Sequence, residues 1–495
     1  MAGLNISRGR AGDGGPALAD RLLVRHNLNL ALSALFLGIV WFYATGQAGG
    51  LLDGGVFIAF AGVIGAYMAL NIGANDVANN VGPAVGSKAL TMIGALAIAF
   101  VFEAAGAIFA GGDVVATISK KIIDPSQIGD VDTLVWAMLA ALLAAAVWVN
   151  LATWIGAPVS TTHAVVGGVM GSGLAAAGTT AVDWAVMSKI AASWVISPVL
   201  SGVIAALFLL FIKRSILSQS DKVGAARRWV PALVAVLAAT FAVYMAIKGL
   251  KHVWRPEIEV VLLTGLAALA LVFLAVKPLV ARASAGLENR RKAVDSLFKI
   301  PLICAAALLC FAHGANDVAN AIGPVAAIIN AVGSGEFAAK VSVPLWVMLV
   351  GACGLSLGLA LFGAKLVRRV GIEITRLDTI RAFCVALSAS ITVIVASWLG
   401  LPVSSTHIAV GGVFGVGFLR EYLINSGRPL GRALVRDAGP AGDRRERTRR
   451  SRQSKRRLLR RAHLLTIVAA WLITVPSAAL MSALIFFMLR GALLP

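Results

Sequence analysis

Long apolar segments recur along the whole of this 495-residue chain, and they leave room for one class of fold. An α-helix needs about 20 apolar residues to cross the hydrocarbon layer of a bilayer. Only 14% of the residues are charged, against about 25% in soluble domains, which excludes a soluble globular enzyme. We therefore predict an all-α, polytopic membrane protein with about 12–13 transmembrane segments surrounded by lipid. The apolar segments lie near residues 28–46, 56–86, 90–111, 133–154, 158–178, 183–212, 229–248, 257–277, 300–332, 343–363, 380–399, 402–427 and 464–489.

The distribution of charge predicts how the chain is oriented. The net charge is +21, and residues 428–461 alone contain 14 Lys and Arg against three acidic residues. Beside membrane spans such a run indicates a cytoplasmic loop, so we expect no nucleic-acid partner. With a cytoplasmic N-terminus the acidic loop 112–132 falls outside, and we predict a multi-pass protein of the cell membrane, the bacterial inner membrane. The other loops that fall inside are also basic: Lys213–Arg228, Lys277–Lys299 and Lys365–Arg381.

The four cysteines lie in apolar segments without the spacing of metal ligands: Cys304, Cys310, Cys353 and Cys384. We therefore expect no disulfide framework, no transition-metal site and no cofactor. The apolar run near residues 28–43 has no small-residue cleavage site after it, which predicts an uncleaved first span.

Two motifs occur twice, in the same order. GANDVAN at residues 73–79 recurs at 314–320, and PVSTTHAVVGG at 158–168 recurs as PVSSTHIAVGG at 402–412. The two GANDVAN copies are seven apolar segments apart, so they run through the membrane in opposite directions. Two inverted-topology repeats with broken or re-entrant helices are typical of secondary transporters that bind their substrate near the midplane.

The repeats divide the chain into predicted units. These are an N-terminal tail with an extra span (1–54), repeat 1 (55–213), connecting spans (214–299), the core of repeat 2 (300–427), a basic cytoplasmic loop (428–462) and a final span of repeat 2 (463–495).

Asp76 and Asp317 lie deep inside apolar segments, where an ionised carboxylate costs roughly 2.5–3.5 kcal/mol. Glycines in and after each motif favour a break in the helix that would turn backbone and side-chain oxygens toward one point. Hard oxygen ligands suit Na⁺ or a similar cation. The alternative is a close helix–helix contact with the polar groups hydrogen-bonded across it. The candidate ligands of a coupling cation are Asn75, Asp76, Asn79, Asn316, Asp317 and Asn320.

In each PVS motif a proline precedes three hydroxyl residues and a glycine-rich helix, which predicts the N-terminus of a half-helix. Free N–H groups, the helix dipole and the hydroxyls could together surround a tetrahedral oxyanion. In the alternative interpretation the hydroxyls bond back to carbonyls in a kinked span. The candidate anion-binding residues are Ser160, Thr161, Thr162, Ser404, Ser405 and Thr406.

Electrostatics predicts that a cation enters with the anion. Two aspartates and a divalent oxyanion would place about four negative charges in one cavity, and neither motif contains Lys or Arg. We therefore predict symport, with Na⁺ or H⁺ as the coupling ion. Residues with a candidate proton or coupling role are Glu103, His163, His313 and His407.

With two GANDVAN copies, each followed by a PVSxTH segment, the chain resembles the inorganic phosphate transporter family, also called the phosphate/sulfate permease family. The resemblance implies a symporter of phosphate with Na⁺ or H⁺, in which the Asn–Asp elements bind cations and the hydroxyl-rich half-helix ends bind phosphate. The family that the chain resembles also includes carriers of neutral metal–phosphate complexes. A homodimer is one hypothesis for the assembly.

Three rival functions stay open. A sulfate permease would use the same hydroxyls, and a passive anion channel would differ in giving no uphill accumulation. An intramembrane hydrolase would use Ser160 or Thr161 with His163 and Asp76, but catalysis needs one nucleophile, whereas the chain has two matched sets. We therefore predict that the protein is not an enzyme.

Overall fold

The computed structural model describes residues 15–50, 54–157, 159–249, 256–334, 343–369, 377–425 and 461–493. Most of these residues are helical, and none of them forms a named strand, which confirms the all-α prediction. Pro158 and nearly all of the basic loop 428–461 lie outside the described residues. The helices are α1 Gly15–Gln47, α2 Gly55–Gly86, α3 Met92–Ala110, α4 Gly112–Lys120, α5 Val131–Ile155, α6 Thr161–Ala177, α7 Trp184–Ile212, α8 Lys222–Tyr244, α9 Ile258–Ala283, α10 Arg291–Leu297, α11 Lys299–Ser334, α12 Leu345–Arg369, α13 Thr379–Trp398, α14 Ser405–Asn425 and α15 Arg461–Leu493.

Twelve of the described helices are long and apolar enough to cross a membrane, in agreement with the predicted 12–13. The thirteenth predicted segment corresponds to α6, which has 17 residues. The most apolar stretch of α11 is 89% buried, whereas that of α9 is 11% buried. The helices that carry the GANDVAN motifs therefore form the centre of the molecule, and α9 lies at its surface.

Each central helix packs against a helix of the other repeat through glycines. A Cβ atom on Gly73 of α2 would lie 2.0 Å from the Leu355 carbonyl oxygen of α12. A Cβ atom on Gly314 of α11 would lie 2.0 Å from the Glu103 carbonyl oxygen of α3. The two interfaces are equivalent, so Glu103 in one repeat and Leu355 in the other occupy corresponding positions.

Helices α5 and α6 form one hairpin, and α13 and α14 form a second. The chain leaves α5 at Gly156 (φ 75°) and leaves α13 at Gly400 (φ 67°), and this left-handed backbone favours glycine. The first hairpin is closed at its far end because the Asp124 amide donates to the Ala181 carbonyl at 2.8 Å. A hairpin contributes either two membrane crossings or none. The number of crossings between α2 and α11 is therefore odd or even in the same way in both cases, and the two helices run antiparallel whether or not the hairpins cross the bilayer.

The last helix of each repeat packs on the hairpin of the other repeat. Gly167 and Gly171 of α6 approach the backbone of Val475 and Ala479 in α15. In the same way Gly411 and Gly415 of α14 approach Pro198 and Gly202 in α7. The repeats are therefore intertwined rather than side by side, whereas the predicted boundaries between them stay a prediction.

The turns of the two hairpins meet in the interior. The Thr162 hydroxyl donates to the Val403 carbonyl at 2.9 Å, and the Thr406 hydroxyl lies 3.5 Å from the Val159 carbonyl. These turns lie beside Asp317, which is near the middle of the 36-residue helix α11. Since α11 is about 54 Å long, which is more than enough to cross a bilayer, the turns meet near the midpoint of a membrane-spanning helix.

We expect Gly358→Ala to destabilise the protein, because the added Cβ would lie 1.9 Å from the Leu70 carbonyl oxygen of α2. Overpacking of this kind costs about 1–3 kcal/mol. The control is Gly38→Ala in α1, where no atom lies within 4 Å of the added Cβ. Thermal unfolding in detergent should separate the two variants, and equal midpoints would contradict the close packing of α2 on α12.

Candidate functional site

The GANDVAN motifs lie within continuous helices. α2 runs unbroken from Gly55 to Gly86, and α11 runs unbroken from Lys299 to Ser334. The predicted break at these motifs is therefore wrong, since their glycines permit close helix packing instead. The chain is broken at the PVS motifs, and α2 and α11 present side-chain oxygens rather than unwound backbone carbonyls.

Both PVS motifs begin a helix, as the proline and the hydroxyls predict. Ser160 caps α6, and its Oγ accepts a hydrogen bond from the His163 amide at 3.1 Å. Ser404 stands in the same place before α14, where its Oγ accepts from the His407 amide at 3.3 Å. The two helix N-termini point into the region where the turns meet, so free N–H groups and positive dipole ends converge there.

Asp76 accepts hydrogen bonds from both hairpins. The Thr161 hydroxyl of the first hairpin donates to Oδ2 at 2.9 Å, and the Thr406 hydroxyl of the second donates to Oδ1 at 3.1 Å. The Asp76 side chain is 1% exposed. One buried carboxylate therefore joins the two inverted turns.

Asp317 has a similar but less complete surrounding. Its Oδ2 accepts from the Ser405 hydroxyl at 3.1 Å, while its Oδ1 accepts no hydrogen bond from the described residues. Two asparagines cross between the repeats, since Asn79 Nδ2 donates to Thr406 Oγ1 at 2.8 Å and Asn320 Nδ2 donates to Thr162 Oγ1 at 3.0 Å.

Asn75 and Asn316 hold the turns of their own hairpins. Asn75 Nδ2 donates to Thr153 Oγ1 at 2.9 Å and lies 3.3 Å from the Ala157 carbonyl. Asn316 Nδ2 donates to Ser397 Oγ at 2.9 Å. Because these amides already bond the hairpins, the structure gives both asparagines a positioning role, and their role as cation ligands stays a prediction. Sequence reasoning missed Thr153 and Ser397, which no motif marks.

His313 connects three buried carboxylates. Its Nε2 lies 3.1 Å from Asp317 Oδ2 and 3.8 Å from Asp76 Oδ2, and its Nδ1 lies 3.3 Å from Glu103 Oε1. Asn80 Nδ2 donates to the same Glu103 oxygen at 2.8 Å. One ligand atom each from Asp76, His313 and Asp317 lie within 4.8 Å of one another. Asn80 was missed by sequence reasoning, although it follows GANDVAN directly.

The contacts that link Asn80 and Glu103 of the first repeat to His313 of the second are not repeated at the symmetry-related positions. By the motif spacing Ile72 stands where His313 stands in the second repeat, and Ala321 stands in the place of Asn80. The glycine contacts match Glu103 with Leu355. Three polar residues in contact are therefore replaced together by three apolar ones, and the site is asymmetric.

Several buried oxygens of the site accept no hydrogen bond from the described residues. They are Asn80 Oδ1, Glu103 Oε2, Asp317 Oδ1 and Asn320 Oδ1. Unpaired buried acceptors are rare in native proteins, because each one loses its hydration without replacement. Among the described ion pairs, His313 is the only basic side chain paired with Asp76, Glu103 and Asp317. The arrangement therefore attracts cations and hydrogen-bond donors.

His163 and His407 form a second pair. Their ring centroids lie 4.4 Å apart, and the His163 ring lies 3.8 Å from the Trp194 ring. They line the inner end of a cavity of about 1070 Å³ between α7, α14 and α15, whose other walls are apolar. These contacts place them beside the meeting hairpins, and their coupling role stays a prediction.

Three comparisons with known proteins give the class of protein to which this chain is similar. Residues 72–482 match the phosphate transporter family. A Helicobacter pylori (strain J99) protein assigned as a phosphate permease is 46% identical over 94% of this chain and 96% of its own length. A Pyrococcus abyssi protein with the same assignment is 36% identical over 86% of this chain and 96% of its own length. A solved structure, the sodium-dependent phosphate transporter, has a TM-score of 0.78 at 35% identity and covers 88% of this chain and 100% of its own.

We expect Thr153→Val to destabilise the first hairpin, because it removes the hydroxyl that accepts from Asn75 and leaves a buried amide donor unpaired. Such a loss costs about 1–3 kcal/mol. Thr153→Ser keeps the hydroxyl and is the matched control. Thermal unfolding in detergent measures both, and a valine variant as stable as the serine variant would refute the positioning role of Asn75.

Proposed function

The chain belongs to the phosphate transporter family, and from that premise we propose that it is a secondary symporter that carries inorganic phosphate together with a cation. The observation that carries the proposal is the bonding of the hairpin hydroxyls to the two aspartates. Those hydroxyls are the groups that would bind phosphate, and those aspartates are the groups that would bind the cation.

A hydroxyl has one proton to donate. In the structure Thr161 and Thr406 donate theirs to Asp76, and Ser405 donates to Asp317. A cation bound at the carboxylates would neutralise their negative charge, and the hydroxyls would no longer need to donate their hydrogen bonds to them. The freed hydroxyls could then donate to phosphate while their lone pairs face the cation. This exchange makes phosphate binding depend on cation binding, which is the requirement for symport.

The charges of the site support the same conclusion. Asp76, Asp317 and Glu103 are buried together with one imidazole. Adding a divalent anion to this set without a cation is electrostatically unfavourable in a low-dielectric interior. The helix N-termini of α6 and α14 supply partial positive charge only, and this stabilises a bound anion without neutralising the aspartates.

We propose Na⁺ as the coupling cation. The groups around Asp76 are hydroxyl and carboxylate oxygens, which are the ligands that hard cations prefer. The solved structure with 35% identity is that of a sodium-dependent transporter. H⁺ is the second candidate, and the contacts from Glu103 through His313 to Asp317 favour it, since an imidazole between carboxylates can accept and pass on a proton.

The intramembrane hydrolase is disfavoured by the geometry. Thr161 donates directly to Asp76 with no imidazole between them. The His163 ring packs against Trp194 and His407, and Ser160 Oγ accepts from the His163 backbone amide. A nucleophile, base and orienting acid are therefore not arranged in series.

The first test is uptake of radiolabelled phosphate into proteoliposomes, with Na⁺ and pH gradients imposed separately. We expect uphill accumulation driven by the Na⁺ gradient and blocked by arsenate but not by sulfate. Accumulation driven by pH alone would assign H⁺ instead, and block by sulfate would assign a sulfate permease. Loss of uptake on adding a metal chelator would show that a metal–phosphate complex is carried. Equilibration without uphill accumulation would contradict symport and support a channel.

We expect Asp76→Asn and Asp317→Asn each to reduce Na⁺-driven uptake at least about a hundredfold, ~2.8 kcal/mol. The amide keeps the size of the side chain but loses the negative charge that attracts the cation. Asp132→Asn, at an exposed position in the first turn of α5, is the matched control and should leave uptake unchanged. Full uphill uptake in both site variants, at equal reconstitution, would rule out the aspartates as coupling residues.

A further inference from the structure

A second group of charges lies at the opposite end of α13 from the transport site. It consists of Arg291 and Arg381, which pair with Asp378, and of Lys213 and Arg420, whose charges interact with those of the other three residues; we call these four cations and Asp378 the basic cluster. Asp378 precedes α13, and Ser397 at the other end of α13 accepts from Asn316. Ser397 is nineteen positions after Asp378 along the helix, so the basic cluster lies about 28 Å from the transport site.

Asp378 binds two of the four cations. Arg291 Nη2 lies 2.6 Å from its Oδ2, and Arg381 Nε lies 2.9 Å from its Oδ1. Burial alone would raise the pKa of the Asp378 carboxyl, but Arg381 and Arg291 outweigh it and hold the pKa below its ordinary value. The carboxylate is therefore ionised, and both of its oxygens are occupied.

Lys213 is the unusual member of the basic cluster. It is 5% exposed, and its Nζ has no hydrogen-bond partner among the described residues. The charges of Arg291, Arg420 and Arg381 act against its ammonium group, and only Asp378 acts in its favour. A buried ammonium group with three available donors and no acceptor is strongly unfavourable unless an anion binds to it.

Among the described ion pairs, Asp378 is the acid that binds the cations of the basic cluster. Four cations against Asp378 leave a net charge of +3. Asp295 lies close by, but it accepts from the Thr379 hydroxyl at 3.0 Å and from the Ile380 amide at 3.3 Å, so its oxygens hold the start of α13. With Asp295 counted, the net charge of these six described residues is +2, which is opposite in sign to a phosphate dianion and equal in size.

The basic cluster also has a distinctive place in the fold. Lys213 begins a π-helical segment, Lys213–Leu217, that extends α7, and π-turns occur often at functional sites. Three of the predicted cytoplasmic loops contribute to the cluster: Lys213–Arg228, Lys277–Lys299 and Lys365–Arg381. The Arg291 side chain is 32% exposed, which leaves a route from the solvent to the cluster.

We propose that the basic cluster binds a phosphate-bearing anion from the cytoplasmic side of the membrane, with Lys213 as its buried ligand. Arg291, Arg381 and Arg420 supply guanidinium groups, which match the oxygens of a phosphate group in pairs. Free inorganic phosphate and the headgroup of an acidic phospholipid share this chemistry. The first would make the site a sensor of phosphate on the inner side, and the second would anchor α7 and α13 to the inner leaflet.

The test is ligand-dependent thermal stability of the full chain in an Asp317→Asn background, which weakens the transport site. One arm titrates inorganic phosphate in lipid-free detergent, and the other compares vesicles of phosphatidylcholine with and without phosphatidylglycerol. We expect stabilisation in one arm, and we expect Lys213→Met to weaken it at least about tenfold. Lys222→Met, at a half-buried lysine whose Nζ donates to the Gln219 carbonyl in a solvent-exposed hydrogen bond, is the control and should keep the effect.

The unfolding temperature without ligand separates the proposal from a purely structural role for Lys213. Under the proposal, Lys213→Met should unfold at a higher temperature than the parent, because it removes an unpaired buried charge while keeping the side-chain stem. A purely structural role predicts that the variant unfolds at a lower temperature. Stabilisation by phosphate alone assigns the free anion, and stabilisation by phosphatidylglycerol alone assigns the lipid. If Lys213→Met does not fold, Arg420→Gln serves in its place. Equal ligand response in the parent and the variant, or no response in either arm, would overturn the proposal.

Discussion

The whole structure is arranged around two carboxylates that are buried in the middle of a membrane protein and pair with no lysine or arginine of the described residues. Such a charge is stable only where the surrounding groups supply donors, and here the donors come from the hydroxyls and helix starts of two hairpins. Because Asp76 accepts from both hairpins at once, each hairpin must reach the centre of the molecule from its own side. The central helices, the glycine contacts and the crossed outer helices are the framework that brings the turns to that point.

The pseudo-symmetry of the fold and the asymmetry of the site serve different purposes. Equivalent turns and equivalent aspartates give two similar half-sites, as expected where two inverted repeats exchange roles. The side-chain contacts from Asn80 through Glu103 to His313 break this equivalence, since apolar residues occupy the corresponding positions. The two carboxylates are thus placed in unequal electrostatic surroundings, although their motifs are identical in sequence.

Much of this arrangement could be predicted from local sequence, and the rest depends on contacts between distant residues. The apolar lengths predict the spans, and Ser160 and Ser404 predict helix starts, because capping acts within a few residues. The glycines of GANDVAN were misinterpreted as helix breaks, since a glycine that loosens a helix and one that admits a neighbouring backbone look alike in sequence. The pairing of His313 with Glu103 joins residues 210 positions apart. No single-sequence pattern contains that information.

The crossed packing of the outer helices has a consequence for how the protein is made. Hairpin α5–α6 rests on α15, the last helix of the chain, and hairpin α13–α14 rests on α7 from the first half. Because synthesis runs from the N-terminus, the first hairpin enters the membrane long before its partner exists. During that interval its glycine face lacks the α15 backbone that it closely fits. Assembly of the first half is therefore completed only after α15 has been synthesised, and a chain truncated before α15 lacks a wall of its first repeat.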